Sequence, residues 1–308
     1  MARGQLRNIL NEMKRHPQVL ERFARSKIPK APDGSIFVGA GDSFAAALAG
    51  FYASKGGCMA FDSYTVASVP KIAKGREVFF ISVSGRTSSN LLAARRVRSL
   101  ANGTTALTAV PGSKLAALTD QTVALPMNYV PKTPGMLSFS LSLLAVLKMA
   151  MVDASCDFER AFANAQSDRR KFSFGGGTTY FLGNSMAYPV ALYAAAKTYE
   201  FLGIKAHAEL LEEFSHLELF SLKKSDWVNL FGCFDPAGMS RKLARSLAAH
   251  GYGSSQIASR GKSDFEKIFH SVFASQLAVL DNAEAAGLTE PMFISAGDKL
   301  DISDAMIY

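Results

Sequence analysis

Glu77-Val78-Phe79-Phe80-Ile81-Ser82-Val83, followed without a break by Ser84-Gly85-Arg86-Thr87, is the stretch of this 308-residue sequence that decides the fold. Its apolar residues run on without alternating with polar ones, as a strand buried on both faces of a parallel sheet requires. The run ends in hydroxyl and glycine residues and leads into a helical segment, Asn90 to Leu100, so strand, tight loop and helix follow one another. Upstream the same succession occurs once: Ser35-Ile36-Phe37-Val38-Gly39, then Gly41-Asp42-Ser43, then the alanine-rich Phe44 to Ser54. Downstream, Thr104 to Val110 reads as a third strand and Thr122 to Leu125 as a short fourth. A long apolar helix then begins at Met136. The alternation predicts an α/β protein built on a doubly wound parallel sheet flanked by helices.

A second copy of this pattern follows. Ser167 to Gly177 is polar and ends in Gly175-Gly176-Gly177, the composition of a linker. Thr178 to Gly183 reads as a strand, Asn184-Ser185 as a loop, and Tyr188 to Phe201 as a helix with Pro189 in its first turn and Gly203 just past its end. Trp227 to Gly232, Ser240 to Ala249 and Phe265 to Ala286 supply strand, helix and long helix. The expected division is an N-terminal helical arm over 1–30, a first domain over 31–152, a helix or linker over 153–177, and a second domain over 178–308. In the arm, Leu6, Ile9, Leu10 and Met13 recur at helical spacing, and Pro17 either breaks or restarts the helix.

Hydrophobic residues make up 48% of the chain and charged ones 19%, the composition of a folded globular protein. The balance of 34 Lys+Arg against 26 Asp+Glu, a formal charge of +8, favours anionic ligands. The basic residues are dispersed, with small clusters at Arg95, Arg96 and Arg98 and at Arg169, Arg170 and Lys171, and no nucleic-acid motif accompanies them, so nucleic acid is not an expected partner. Cys58, Cys156 and Cys233 form no CxxC or Cys/His ligand spacing, which argues against a disulfide scaffold or a metal site and for a reducing, cytoplasmic setting. Met1 to Gln18 lacks the apolar core of a signal peptide. Met136 to Val152 is short for a membrane span and carries Ser138, Ser140, Ser142 and Lys148, so it reads as a buried helix with no membrane role.

Ligands of open α/β sheets sit at the carboxyl ends of the strands. Two loops lie there in the first half: Gly39, Gly41, Asp42 and Ser43 after one strand, and Ser82, Ser84, Gly85, Thr87 and Ser88 after the next. Hydroxyls and backbone N–H groups at a helix start make a neutral donor nest that suits a phosphate dianion. The competing reading is ordinary helix capping, for which Ser, Thr and Asp are the usual residues. The five hydroxyls between Ser82 and Ser89 exceed what one cap uses. No GxGxxG or Walker A pattern is completed, because no Lys-Ser/Thr follows the glycines, so no nucleotide and no cofactor is expected. In the second half, Lys197 and Glu200 lie one helical turn apart, the spacing of a simple ion pair and equally of a carboxylate base beside a cation. His216, near Glu212, Glu213 and Glu218, is on spacing alone an exposed helical residue.

Ser82-Val83-Ser84-Gly85-Arg86-Thr87 resembles the S-x-S-G-x-T phosphate loop of sugar isomerase (SIS) domains, and Gly41-Asp42-Ser43 resembles the G-T-S turn before it. Leu182 to Leu192, then Lys197-Thr198-Tyr199-Glu200, Ala206-His207-Ala208-Glu209 and Glu213-Phe214-Ser215-His216 are similar to the isomerase half of the glucosamine-6-phosphate synthase family. The resemblance spans roughly residues 30 to 290 and implies two tandem SIS domains. It implies a phosphorylated sugar held by Gly41, Asp42, Ser43, Ser82, Val83, Ser84, Gly85, Thr87 and Thr133, and a homodimer with sites built from both subunits. It also implies that Glu200 shuttles a proton between C1 and C2 of the open-chain sugar, that His216 helps to open the ring, and that Lys197 belongs to the same machinery.

The chain departs from that pattern at three places. His216-Leu217-Glu218 stands for H-G-P, Thr133-Pro134-Gly135 for S-T-K, and Lys299 is the lysine of a tail, Asp298 to Tyr308, that otherwise differs from the family's imine-forming one. Met1-Ala2-Arg3 offers no N-terminal Cys nucleophile, so glutaminase activity is not expected. The implied function is isomerase, deaminase or deglycase chemistry on an amino sugar phosphate or a fructosamine phosphate. The alternatives are aldose–ketose phosphate isomerisation without nitrogen, and a sugar-phosphate sensor without catalysis.

Overall fold

The computed structural model describes residues 5–151 and 155–308; the first residues of the expected arm and the expected boundary at 152/153 lie outside them. The strands are β1 Ile36–Gly39, β2 Met59–Asp62, β3 Glu77–Ile81, β4 Gly103–Thr108, β5 Gln121–Ala124, β6 Thr179–Leu182, β7 Ala206–Glu209, β8 Trp227–Phe231 and β9 Gly253–Ile257. The helices are α1 Gln5–Met13, α2 His16–Ala24, α3 Asp42–Ala53, α4 Ser63–Ser68, α5 Ser88–Val97, α6 Leu137–Ala150, α7 Phe158–Asp168, α8 Ala187–Leu202, α9 Leu211–His216, α10 Met239–Ala249, α11 Asp264–Ala285 and α12 Asp298–Ile307. The doubly wound α/β fold expected from the sequence is present twice. A five-stranded parallel sheet has the order β2-β1-β3-β4-β5, and a four-stranded parallel sheet the order β7-β6-β8-β9. The chain forms two compact units, one of Gln18–Ala154 with Ala296–Tyr308, the other of Met1–Pro17 with Ser155–Ser295.

In the first of these units, residues of β1, β3 and β4 are almost all buried, which explains their unbroken apolar character. Ile36, Val38, Val78, Phe80 and Ala106 face Leu91, Ala94 and Val97 of α5 and Val66 of α4. Phe37 and Phe79 point to the opposite face, their rings 5.5 Å apart, as the two-residue period of a strand dictates. There α3 and α6 cover them. A side-chain carbon at Gly50 of α3 would stand 2.5 Å from Val146 and 2.8 Å from the Phe37 ring, so glycine lets helix and sheet approach. Burying each such Phe stabilises the fold by roughly 2 to 3 kcal/mol. Lys148, the one charge in the apolar helix α6, donates to the carbonyls of Ala24 and Ser26 and so satisfies open groups at the end of α2.

In the second unit, α9 and α10 cover one face of the sheet, where Tyr180, Leu182, Val228 and Leu230 meet Phe214 and Leu247. α11, nearly all buried, packs along α7 and α8. α7 lies inside the stretch read from sequence as helix or linker. It is fastened to α11 by the two-pronged bond of Arg160 to Glu266, at 2.6 and 2.7 Å. α1 packs against α11, and Pro17 is the second residue of α2, where a proline restarts a helix rather than breaking it.

Candidate functional site

The order β2-β1-β3 makes β1 and β3 the switch point of the first sheet, so the loops after these strands flank the crevice at its carboxyl edge. After β1 the chain turns at once. A side-chain carbon at Gly39 would come within 2.4 Å of the Ser43 backbone, and Gly41, with φ +57°, takes the left-handed conformation that glycine tolerates. Gly41 starts α3 and no side chain caps it, the first helical bonds being those from Phe44 and Ala45 N–H to the Gly41 carbonyl.

The loop after β3 is drawn tight in the same way. Gly85 has φ +60°, and a side-chain carbon there would lie 2.0 Å from Ser113 Oγ. Its N–H donates to the Ser82 carbonyl and its own carbonyl accepts from Leu115. Ser82 and Thr87 pair hydroxyl to hydroxyl at 3.2 Å, and the Ser84 hydroxyl accepts from the Arg86 N–H at 3.2 Å. Thr87 precedes α5 without capping it, and the first helical bond runs from Leu91 to Thr87. The N–H groups of Ser88, Ser89 and Asn90 therefore come ahead of any helical carbonyl. The capping explanation of these hydroxyls fails: they bond within the loop and leave the positive end of α5 open.

The second unit repeats the geometry and fills it. A side-chain carbon at Gly183 would stand 2.8 Å from the Ala187 backbone, as one at Gly39 would crowd Ser43, and Ser185 takes φ +52° where Gly41 stands in the first copy. After β8, however, Asp235 closes the start of α10, its carboxylate accepting from Met239 N–H at 3.0 Å and Ser240 N–H at 2.7 Å. These bonds outweigh its burial and hold its carboxyl below the usual range. A second anion at α10 would meet this charge. Of the loops after β3 and β8, the first is the open one.

Asp42 and Thr133 take different places. The Asp42 carboxylate faces the first turn of α6, where a side-chain carbon at Gly135 would be 2.7 Å from Asp42 Oδ2 and 3.1 Å from Ser138 Oγ. Thr133 is exposed in the segment before that turn. Tyr129, Arg86 and Tyr308 were not singled out by sequence reasoning. The Tyr129 phenol lies in reach of the Ser84 hydroxyl and of Tyr308, and burial with Tyr308 beside it raises its pKa despite Arg86. The Arg86 guanidinium sits 5.6 Å from the Tyr308 ring centre. Lys132 and Asp304 pair at 3.0 Å and hold α12 to the same unit.

In the second unit Lys197 and Glu200 meet on α8. The Lys197 side chain is 0% exposed and donates to Glu200 Oε2, whose own side chain is 27% exposed, so this is no ordinary solvated surface pair. The ammonium also lies 5.2 Å from the Tyr193 ring centre, and Tyr193 accepts from Gln276 at 2.8 Å. His216, exposed, ends α9. α8 runs back from the carboxyl end of β6 to the start of β7, and α9 leaves the far end of β7. From there α9 folds back along β7: Phe214 packs on Tyr180, ring centres 5.3 Å apart, and Glu218, two residues past His216, pairs with His207 Nδ1 at 3.0 Å. Among the described residues no group of three His, Cys, Asp or Glu side chains is arranged to hold a metal ion, and no helix is long and apolar enough to cross a membrane.

Residues 33–152 match the family model of the SIS domain, which contains both loops of the first sheet. This segment is an SIS domain. No curated protein matches the sequence. Solved structures extend the likeness of fold to both sheets. Glucosamine-6-phosphate deaminase from Thermotoga maritima superposes with a TM-score of 0.74 at 21% identity, over 91% of this chain and 95% of that one. Tagatose-6-phosphate ketose/aldose isomerase from Escherichia coli gives 0.68 at 17% identity, over 94% and 92%. The C-terminal domain of glucosamine-fructose-6-phosphate aminotransferase from Francisella tularensis gives 0.66 at 15%, over 90% and 96%. Each shares the fold, two tandem SIS-like halves.

Proposed function

We propose that this chain is a cytoplasmic phosphosugar enzyme of isomerase, deaminase or deglycase type, acting on an amino sugar phosphate or a fructosamine phosphate. The halves 31–152 and 178–308 are its two SIS domains, with the tail 296–308 packed into the first unit, and the first holds the phosphate through Gly41, Ser43, Ser82, Val83, Ser84, Gly85 and Thr87. The observation that carries this reading is the open start of α5 beside three loop hydroxyls, set against the Asp235-filled start of α10. A phosphate dianion supplies the acceptors that the first loop lacks.

In the chemistry, the Glu200 carboxylate takes the proton from the carbon beside the carbonyl or imine of the open chain. The C–H electron pair moves into the carbon skeleton, the carbonyl oxygen or imine nitrogen carries the charge, and the proton returns to the neighbouring carbon. Lys197 places a positive charge next to that carboxylate. The family resemblance is what supports a homodimer with sites built from both subunits, to which Glu200 and His216 contribute.

The test is a thermal-shift series with glucosamine 6-phosphate, fructose 6-phosphate and a 6-phosphorylated fructosamine, against the unphosphorylated sugars. A ligand that binds the native state raises its apparent stability. Stabilisation by the phosphorylated compounds alone is expected, and none by any of them would overturn the reading. Product analysis with fructose 6-phosphate, with and without ammonia, then separates nitrogen chemistry from plain aldose–ketose isomerisation. That second reading is favoured by the likeness to the tagatose-6-phosphate isomerase, which nearly equals the likeness to the deaminase. Binding without turnover of any compound would identify a sensor.

A further inference from the structure

Arg86 is the one charged residue between Ser82 and Asn90. Its neighbours in the loop offer neutral donors, hydroxyls and backbone N–H groups, against the double negative charge of a phosphomonoester. Its side chain is exposed and makes no ion pair among the described residues, so its charge is uncompensated. It is nevertheless not left to wander. The Tyr308 ring lies 5.6 Å from the guanidinium carbon. The Lys132–Asp304 ion pair fixes the helix that carries Tyr308.

An aromatic face holds a guanidinium plane while leaving its N–H fork and its charge available, whereas a carboxylate partner would consume both. On the reading that this loop binds a sugar phosphate, we propose that Arg86 is a further, charged contact to the phosphate, and that Tyr308 is the residue that positions it. The neutral donors set the place of the phosphate, and Arg86 sets the preference for the dianion. A two-pronged bond from guanidinium to phosphate oxygens has the geometry this demands.

The test measures dissociation constants for fructose 6-phosphate and for inorganic phosphate, at low and high salt, with the wild-type chain and with R86Q, R86K, Y308L and R86Q/Y308L. Arg86 and Tyr308 are both exposed, so the variants should fold, and melting curves confirm it. R86Q is expected to weaken both ligands by about tenfold at low salt and by less at high salt, with R86K intermediate. Y308L should weaken them by about threefold alone and not at all in the R86Q background, because a positioning residue acts through what it positions. Unchanged binding by R86Q overturns the proposal, and so does a Y308L effect of equal size in both backgrounds. If the wild-type chain binds neither probe, the sugar-phosphate reading itself falls, a result distinct from an inert Arg86.

Discussion

The hydroxyls of Ser82 and Thr87 face one another at 3.2 Å across the loop after β3, and neither closes the start of α5. Asp235 does close the start of α10. The comparison predicts what a carboxylate would do in the first loop. Thr87→Asp should cap α5, leave the melting temperature unchanged or higher, and reduce glucosamine 6-phosphate binding by about 100-fold or more. A carboxylate some 4 Å from a phosphate costs about 4 kcal/mol at the effective dielectric of a protein surface. Titration calorimetry of the variant against wild type checks the affinity, and thermal melts check the stability.

Asp235→Ala removes an N-cap and should destabilise the second unit by about 1 to 2 kcal/mol at pH 7. The Asp235 carboxyl is held below its ordinary value in the fold. Its contribution is therefore present above the unfolded value, near pH 4, and lost as the pH falls through the folded one. Melts of wild type and D235A should differ at pH 7 and draw together as the pH falls below about 4. A gap that stays constant with pH would show that the carboxylate is not the source.

Gly85→Ala places a side-chain carbon 2.0 Å from Ser113 Oγ and 2.3 Å from its Cβ, at φ +60°. The expected cost is about 2 to 4 kcal/mol from the clash and the left-handed backbone together. Binding of sugar phosphates should fall with it, since the loop donors shift. Ser113→Gly in the same chain relieves the clash but not the backbone strain, so it should restore part of the stability.

Glu200→Gln leaves an oxygen for Lys197 but removes the carboxylate charge beside a buried ammonium. A stability loss of about 2 kcal/mol is expected, below the value for a fully buried pair because Glu200 is partly exposed. Turnover should fall by at least about 100-fold. Lys197→Met added to this variant should recover stability without recovering turnover, which separates the structural effect from the chemical one.

His16 is wholly buried at the start of α2, with neither ring nitrogen in a hydrogen bond. Burial lowers its pKa to about 3, and nearby Gln276 offsets this only slightly. Above pH of about 6.5 the ring is neutral in folded and unfolded chains alike. Below it the unfolded chain takes up a proton that the fold refuses, and stability declines by about 1.4 kcal/mol per pH unit until the folded pKa is reached. His270, also lowered by burial, acts in the same direction. His16→Leu should flatten the acid loss between pH 6.5 and 4 by the share that His16 carries, as read from urea melts.

Much of the fold was legible in the residues. β1, β3, β6 and β8 occupy sheet interiors, so both faces must be apolar and the runs declare themselves. β2, β7 and β9 are edge strands. Ala206-His207-Ala208-Glu209 alternates over four residues only, and Gly253-Ser254-Ser255-Gln256-Ile257 is polar until its last residue, so neither stands out as a strand. α7 falls in the stretch read as helix or linker, where its amphipathic pattern lies beside polar and glycine-rich sequence. The Ser82 to Thr87 loop was legible as a cluster of donors. Arg86 was visible within it, but its pairing with Tyr308 joins residues far apart in sequence.

By itself, then, the sequence determined the class of fold, the twofold repetition and the kind of loop, since each depends on short-range pattern. Burial of an apolar run and the backbone freedom of Gly41 and Gly85 are local requirements, written in neighbouring residues. Tertiary structure alone decided which helix start stays open. Ser, Thr and Asp can cap or bind with the same atoms, and the choice depends on distances set by packing. The same holds for Lys197 and Glu200: their spacing fits a solvated pair and a buried one equally, and only the surrounding core excludes water from the ammonium.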